Sequence, residues 1–365
     1  MNDYIIIGGG VAGLSAALHL AERGVKPVVI EAGNYPAHKI CGEFFSPEAL
    51  PILARWDIHP PVTLRSITFH AQSSEYTFTL PQPAGSMSRY AFDALLASRA
   101  QEKGVELITN TSVTGLRATK DNTYIVTLST GQEREAQAIV IGTGRALQLI
   151  EQKNAPTLQK MPAKYAGIKA HIKYHDLHDR VLFFAIPGAY LGLSSVGDGI
   201  TNIACLATMQ LREQFQTPEA LMQHLAQQSG NRYFQELLSQ GTRLFPEWLT
   251  VSAPEFGIKK TPTLPNLYVI GDAAGTIPPA SGDGLGIAIT SGKLLADYAL
   301  QKDATGFAQA WRHHYAPIIR TGKILHLLMM QPLFAKLAMG LCKSMPSVGK
   351  KLFQQSRSPF NNIYD

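Results

Sequence analysis

Cysteine is scarce in this chain of 365 residues, where Cys41, Cys205 and Cys342 are the only three and lie far apart. A disulfide framework needs several cysteines at short spacings, and a structural zinc site needs them in pairs, so both are excluded and the thiols read as free. Long apolar runs are missing too, none being long enough to span a bilayer. The first strand pattern begins at Tyr4, which leaves no room for a leader peptide, so the expectation is a soluble, cytoplasmic protein. Acidic residues are absent from most of one region. From Gly306 onward eight lysines and arginines face a single acid, Asp365, while the rest of the chain is nearly balanced, so the formal charge of +6 belongs to the tail. No basic stripe with interleaved aromatics marks the main body, and nucleic acid is not an expected partner. Internal repeats and low-complexity tracts are lacking, and the length suffices for two domains.

What the chain does have is concentrated at its start. Tyr4 to Ile7 is a short apolar run suited to a buried parallel strand, and Gly8, Gly10 and Gly13 then fit G-x-G-x-x-G. Leu14, Ala17, Leu18 and Leu20 give a helical stripe ending near Gly24, and a second strand, Pro27 to Ile30, closes on Glu31. Gly8 permits the tight turn, Gly10 lets the backbone approach a pyrophosphate, and Gly13 lets helix and strand pack closely. The helix N-terminus offers free N–H groups and partial positive charge to phosphates. Glu31 is placed to accept hydrogen bonds from ribose hydroxyls, and its charge disfavours a 2′-phosphate, so the site reads as one for FAD or NAD.

Farther on, Lys39-Ile40-Cys41-Gly42-Glu43 centres a loop, and Ser46-Pro47-Glu48 reads as a helix start. Alternation over Leu64 to Leu80 and over Tyr165 to Met209 predicts antiparallel strands, with Ile168, Ala170, Ile172 and Tyr174 on a core face. His171 and His175 fall on the opposite face, expected to be wet, and a metal site there is not expected. Pro218 to Leu238 reads as a helical stretch. Segments 1–63, 84–162 and 258–305 are assigned to a discontinuous nucleotide-binding domain, 64–83 and 163–257 to an inserted substrate domain, and 306–365 to a helical basic tail.

The second informative motif follows the buried strand Leu267 to Ile270. Gly271-Asp272 puts a carboxylate at the C-terminal edge of the sheet, where open α/β sheets bind ligands, and Asp272 can accept from a sugar-alcohol chain such as a ribityl. Beyond Pro278, Pro279 and Gly282-Asp283-Gly284 a helix from Leu285 points its positive end into the same crevice, favouring negative charge on a reduced flavin ring.

Gly8 to Glu31, Arg89 ahead of its helix, and GDAAGTIPPASGDGLG together resemble the p-hydroxybenzoate-hydroxylase-like flavoproteins, and KICGEFFSPEAL resembles their geranylgeranyl reductase branch. The resemblance implies an α/β fold with a Rossmann-like FAD domain of the glutathione-reductase and p-hydroxybenzoate-hydroxylase type, an inserted mixed-sheet substrate domain and a helical tail. It implies FAD held by Gly8, Gly10, Gly13, Glu31, Arg89 and Asp272, with the flavin ring beside Pro278, Gly282, Gly284 and Leu285. The Asp-Gly pair of aromatic hydroxylases is replaced by Gly142-Thr143-Gly144-Arg145. The Tyr-x-Trp-x-Phe-Pro signature of prenyl reductases and the Trp-x-Trp-x-Ile-Pro motif of flavin halogenases are absent.

The expected chemistry is hydride transfer between FAD and an apolar, isoprenoid-like or polyketide-like, unsaturated substrate. The electron partner is NAD(P)H or a donor protein. A single-component monooxygenase and a flavin-binding electron carrier are the alternatives. Cys41 is a candidate acid or thiolate near the flavin, with simple packing as the other reading, and Lys39 either binds a cofactor or substrate anion or pairs with Glu43. Tyr190 faces the flavin pocket or sits in the core. In the tail, Leu325, Leu328, Met329, Leu333, Leu337 and Leu341 follow helical spacing interrupted at Pro332, and lysines lie within and after them. That composition is expected either of a helix resting on an anionic membrane, at the inner face, or of one packed on its own domain.

Overall fold

The computed structural model of the chain describes residues 1–357 apart from Ala146, Lys153, Asn154, Met161 and Pro254; the end of the basic tail, with Asp365, lies outside the described residues. Two sheets organise it, one of seven strands and one of nine.

In the seven-stranded sheet, Asn2–Ile7 lies between Val28–Ile30 and Glu133–Ile141, and all three run parallel. Glu106–Ile108 extends the parallel set on one side and Leu267–Val269 on the other. Ile5, Ile6, Val29, Ile139 and Val140 are completely buried, as expected of strands covered on both faces. The antiparallel pair Val113–Ala118 and Tyr124–Leu128 forms the remaining edge. The nucleotide helix, Val11–Ala21, and the crevice helix, Gly284–Ala299, pack against each other over this sheet. This is the α/β, Rossmann-like architecture expected from the glycine motif.

The nine-stranded sheet is mixed. Val62–Ala71 pairs antiparallel with Ser74–Ser86 but parallel with Arg180–Ile186, and Ala189–Ser195, Ile200–Thr208 and Tyr165–Lys173 continue it antiparallel. One face carries Ile168, Ala170 and Ile172 against Leu221, Leu225, Phe234 and Leu237 of two helices, Pro218–Ser229 and Arg232–Gln240. The single helical stretch expected over 218–238 is split, because Gly230 adopts the left-handed conformation that ends one helix and the Asn231 side chain caps the next. The strand ending at Ser86 is longer than alternation alone indicated. The helix expected from Ser46 starts only at Leu50, the residues before it forming turns in which Ala49 N–H donates to Ser46 O.

The tail is helical throughout its described part. Ala304–Met329 is followed by Pro332–Ser344 at a bend of 113°, then by Pro346–Gln355. Pro332 divides the run as expected, by opening a new helix, where its missing N–H costs nothing.

Candidate active site

Loops at the C-terminal ends of the parallel strands meet in one crevice. Gly8 has φ of +103°, which glycine adopts without strain, and a Cβ there would lie 2.5 Å from Gly142 O. Gly13 is pressed on the strand end, where a Cβ would fall 1.9 Å from Gly8 O. At Gly10, in contrast, a Cβ would meet nothing within 4 Å, and no side chain caps the nucleotide helix, so its first N–H groups remain available to a ligand. Glu31 is fixed at the end of the second strand by Gly9 N–H at 2.8 Å and Gly33 N–H at 3.0 Å. Tyr35, which the sequence reading missed, donates its hydroxyl to Gly9 O.

Asp272 lies across the crevice, and Arg145 Nε approaches its Oδ2 to 3.4 Å. Arg145 also donates to Ile40 O at 3.3 Å, and buried Lys259 donates to Arg145 O at 3.1 Å, so one basic pair ties together loops from three strands. Enclosure raises the Asp272 carboxyl above its ordinary range against the pull of Arg145, Lys259 and Arg89. The crevice helix begins at Gly284 with no side-chain cap, and Leu285 is buried in its first turn. Pro278 and Gly282 flank the short turn before it.

The residues present therefore fit a dinucleotide: an open helix N-terminus beside glycines with no room for a side chain, an oriented acid at the second strand, and a carboxylate with a second helix N-terminus opposite. Asp272→Ala should weaken FAD binding by roughly tenfold to a hundredfold, since it removes an acceptor and strips Arg145 of its partner. Flavin released per mole of purified protein, measured by absorbance at matched free FAD, checks this; unchanged affinity would exclude Asp272 from the site.

The Lys39 to Glu43 loop is arranged differently from expectation. Lys39 does not pair with Glu43; its Nζ lies 4.0 Å from Glu31 Oε1. Glu43 is wholly buried, with φ of +58°, and accepts from Lys169 Nζ, from His171 Nε2 at 2.6 Å and from Arg89 N–H at 2.6 Å. Burial acts to raise the Glu43 carboxyl, but His171 and Lys169 outweigh it and hold the group below the usual carboxylate range. His171 is thus buried rather than wet, while His175 and His178 are exposed. Alternation placed His171 correctly on the face opposite Ile168 and Ala170, but that face meets the loop over the crevice instead of solvent. Lys169 shares the face and donates to Lys39 O at 3.0 Å. His38 stacks on Tyr90, and burial followed by the charges of His171 and Lys169 lowers it to about 4. Among the described residues no His, Cys, Asp and Glu group could hold a metal.

Arg89 sits at the start of its helix, with Nε and Nη2 on Asp93 at 2.6 and 2.7 Å. Cys41 is half-buried, its Sγ accepting from Glu43 N–H at 3.3 Å.

Tyr190 is buried, and its hydroxyl accepts from Ala280 N–H at 3.3 Å, in the turn between Pro278 and Gly282. The same hydroxyl lies 3.3 Å from His326 Nδ1, and His326 Nε2 lies 3.1 Å from the Tyr165 hydroxyl. Burial, then Lys323, lowers His326 to about 4, so its ring is neutral at pH 7 with one nitrogen donating and the other accepting. Around this chain the wall is apolar: Phe183, Leu206, Phe256, Met329 and Met330. The sequence reading missed His326, which lies in the tail, far from any motif.

The sequence profile of the FAD dependent oxidoreductase (DAO) family matches residues 3–40 and 73–298. The chain belongs to that family, and its cofactor is FAD. Among curated proteins it is similar to menaquinone reductase of Mycolicibacterium smegmatis, 23% identical over 91% of this chain and 85% of the relative. It is also similar to digeranylgeranylglycerophospholipid reductase 1 of Methanothermobacter thermautotrophicus, 23% identical over 85% of this chain and 80% of the relative. Among solved structures the flavin-dependent brominase Bmp2 superposes with a TM-score of 0.78 at 16% identity, over all of this chain and 94% of that one. Proteins with different chemistries thus share the fold.

Proposed function

We propose that the chain is an FAD-dependent reductase that adds hydrogen across an unsaturated bond of an apolar, isoprenoid-like or polyketide-like, substrate, or runs the reverse dehydrogenation. The observation that carries this reading is the Tyr190, His326 and Tyr165 chain, a hydroxyl–imidazole–hydroxyl path set in an apolar wall. The names of the two curated relatives, both reductases of lipid-like molecules, support it.

FAD, held by Gly8, Gly10, Gly13, Glu31 and Asp272 with Arg89 nearby, supplies the hydride chemistry when NAD(P)H or a donor protein has delivered electrons. The chain's own task is the proton. Saturating a carbon–carbon double bond takes one hydride and one proton, and a wall of Phe and Met side chains excludes water that would otherwise provide it. The Tyr190 hydroxyl is the group that gives the proton, His326 replaces it through Nδ1, and half-buried Tyr165 links Nε2 to solvent. Burial holds the Tyr190 hydroxyl well above its usual range, so it stays protonated until substrate demands the proton. Methionines 329 and 330 are unbranched and adapt to long apolar chains. Cys41, whose Sγ accepts from Glu43 N–H, is the second candidate for proton transfer.

The test uses reduced protein under argon with prenylated quinones and geranylgeranyl lipids, following flavin reoxidation and product mass. Products heavier by two hydrogens support the reading; products heavier by one oxygen atom, formed only in air, would replace it with a monooxygenase. Turnover of none of them, with flavin intact, would favour an electron carrier. His326→Phe should slow turnover about a hundredfold and flatten the pH profile while flavin content holds. Cys41→Ser with unchanged turnover would return that residue to packing.

A further inference from the structure

We infer that the helix Pro332–Ser344, with the last turn of Ala304–Met329, is a docking face for an anionic lipid surface. The helix is built inside out for one packed only on protein. It buries Pro332, Ala335, Met339 and Cys342, yet exposes Leu333, Phe334, Leu337 and Leu341, each at 50% or more. The neighbouring turn adds Ile324 at 56% and Leu327 at 65%. At about 100° per residue the four exposed apolar side chains span an arc of about 100°, and Lys336 and Lys343 follow some 60–80° beyond its edge. Lysines so placed reach headgroups while the apolar arc enters the acyl boundary.

The charge names the occupant. Lys323, Lys336, Lys343, Lys350 and Lys351 are all exposed, and no acid occurs from Gly306 to Arg357. A second copy meeting this face symmetrically would set lysines against lysines, whereas anionic headgroups neutralise them. Each well-placed lysine is worth about fivefold in binding to anionic lipid. The 113° bend turns Pro332–Ser344 across the surface, and among the described residues no single helix is long and apolar enough to cross a membrane. Beside the exposed arc lies a groove of about 350 Å³ lined by Leu328, Leu337, Leu341, Val348 and Leu352, wide enough for part of one acyl or prenyl chain. Leu328 is two residues from His326, so the face adjoins the wall described above.

Flotation of the full chain with vesicles of phosphatidylcholine, with and without phosphatidylglycerol, tests this without any substrate, so its outcome is separate from that of the reductase reading. Binding should need phosphatidylglycerol and fall at least tenfold between low salt and 0.5 M salt. Leu337→Glu with Leu341→Glu should abolish binding, and Lys336→Ser with Lys343→Ser should weaken binding to phosphatidylglycerol vesicles about twenty-five-fold. These exposed positions leave flavin content as the control for folding. Absence of binding, or equal binding by the leucine variant, overturns the inference. So does a concentration-dependent dimer that the leucine variant abolishes, which would assign the face to a second copy.

Discussion

Gly13→Ala should give a protein that retains little or no flavin and unfolds at a distinctly lower temperature. The new methyl carbon would stand 1.9 Å from Gly8 O and 3.2 Å from Gly8 C, both backbone atoms of the turn it must not disturb. Flexible side chains can give way, but here only the nucleotide helix or the end of the first strand can move. Overpacking of this kind costs on the order of 1–3 kcal/mol, and more where backbone must shift. Displacing the helix also moves its N-terminal N–H groups away from the phosphates, and losing bound FAD removes the stabilisation that ligand binding adds to the folded state. Thermal unfolding with and without added FAD separates the two effects. A variant that keeps full flavin content would show that the glycine turn is not the phosphate site.

The second large effect is expected at Lys169→Met. Lys169 and Glu43 are both completely buried, and removing the lysine leaves a carboxylate in the interior with His171 and one N–H as partners. Breaking a buried pair from one side costs on the order of 3–5 kcal/mol, while replacing both charges costs far less. Lys169→Met with Glu43→Gln should therefore recover part of the loss, measured by denaturant midpoints. The pH dependence has a definite sign. In the natural chain the folded Glu43 pKa lies below its unfolded value of about 4.3, so its contribution is present above that pH and is lost as pH falls through the depressed value. Without Lys169 burial gains ground and moves the folded pKa upward. If it passes the unfolded value, stability is greatest in acid and falls as pH rises. The expected result is that acidification narrows the gap between variant and natural chain; a gap independent of pH would mean that Glu43 is not charged in the folded protein.

The same residues show how far the sequence reaches. The glycines and Glu31 were legible because the strand, turn, helix, strand unit is local: each residue's part follows from neighbours within thirty positions. Asp272 was legible for the same reason, as an acid directly after a buried strand. Strand alternation separated Ile168, Ala170 and Ile172 from Lys169 and His171 correctly, since a period of two fixes which residues share a face. It carries nothing about what lies opposite that face. Solvent was the expectation for His171, whereas the fold brings Glu43 there from 128 residues away. The roles of Arg145 and Lys259 were not legible, because their work is to join loops from different strands.

The tail divides in the same manner. Its helicity, its break at Pro332 and its excess of lysine follow from propensity, a missing N–H and simple counting. That His326 turns inward to Tyr190, 136 residues earlier, while Leu337 and Leu341 are left outside, was decided by the 113° bend and by which helix face the sheet covers. The sequence by itself thus determined a dinucleotide site, the α/β class and the chemistry available at each local motif, because hydrogen bonding and steric limits act between near neighbours. Only the tertiary structure decided which polar groups meet in the interior, since desolvation and charge pairing depend on distances that chain order does not contain.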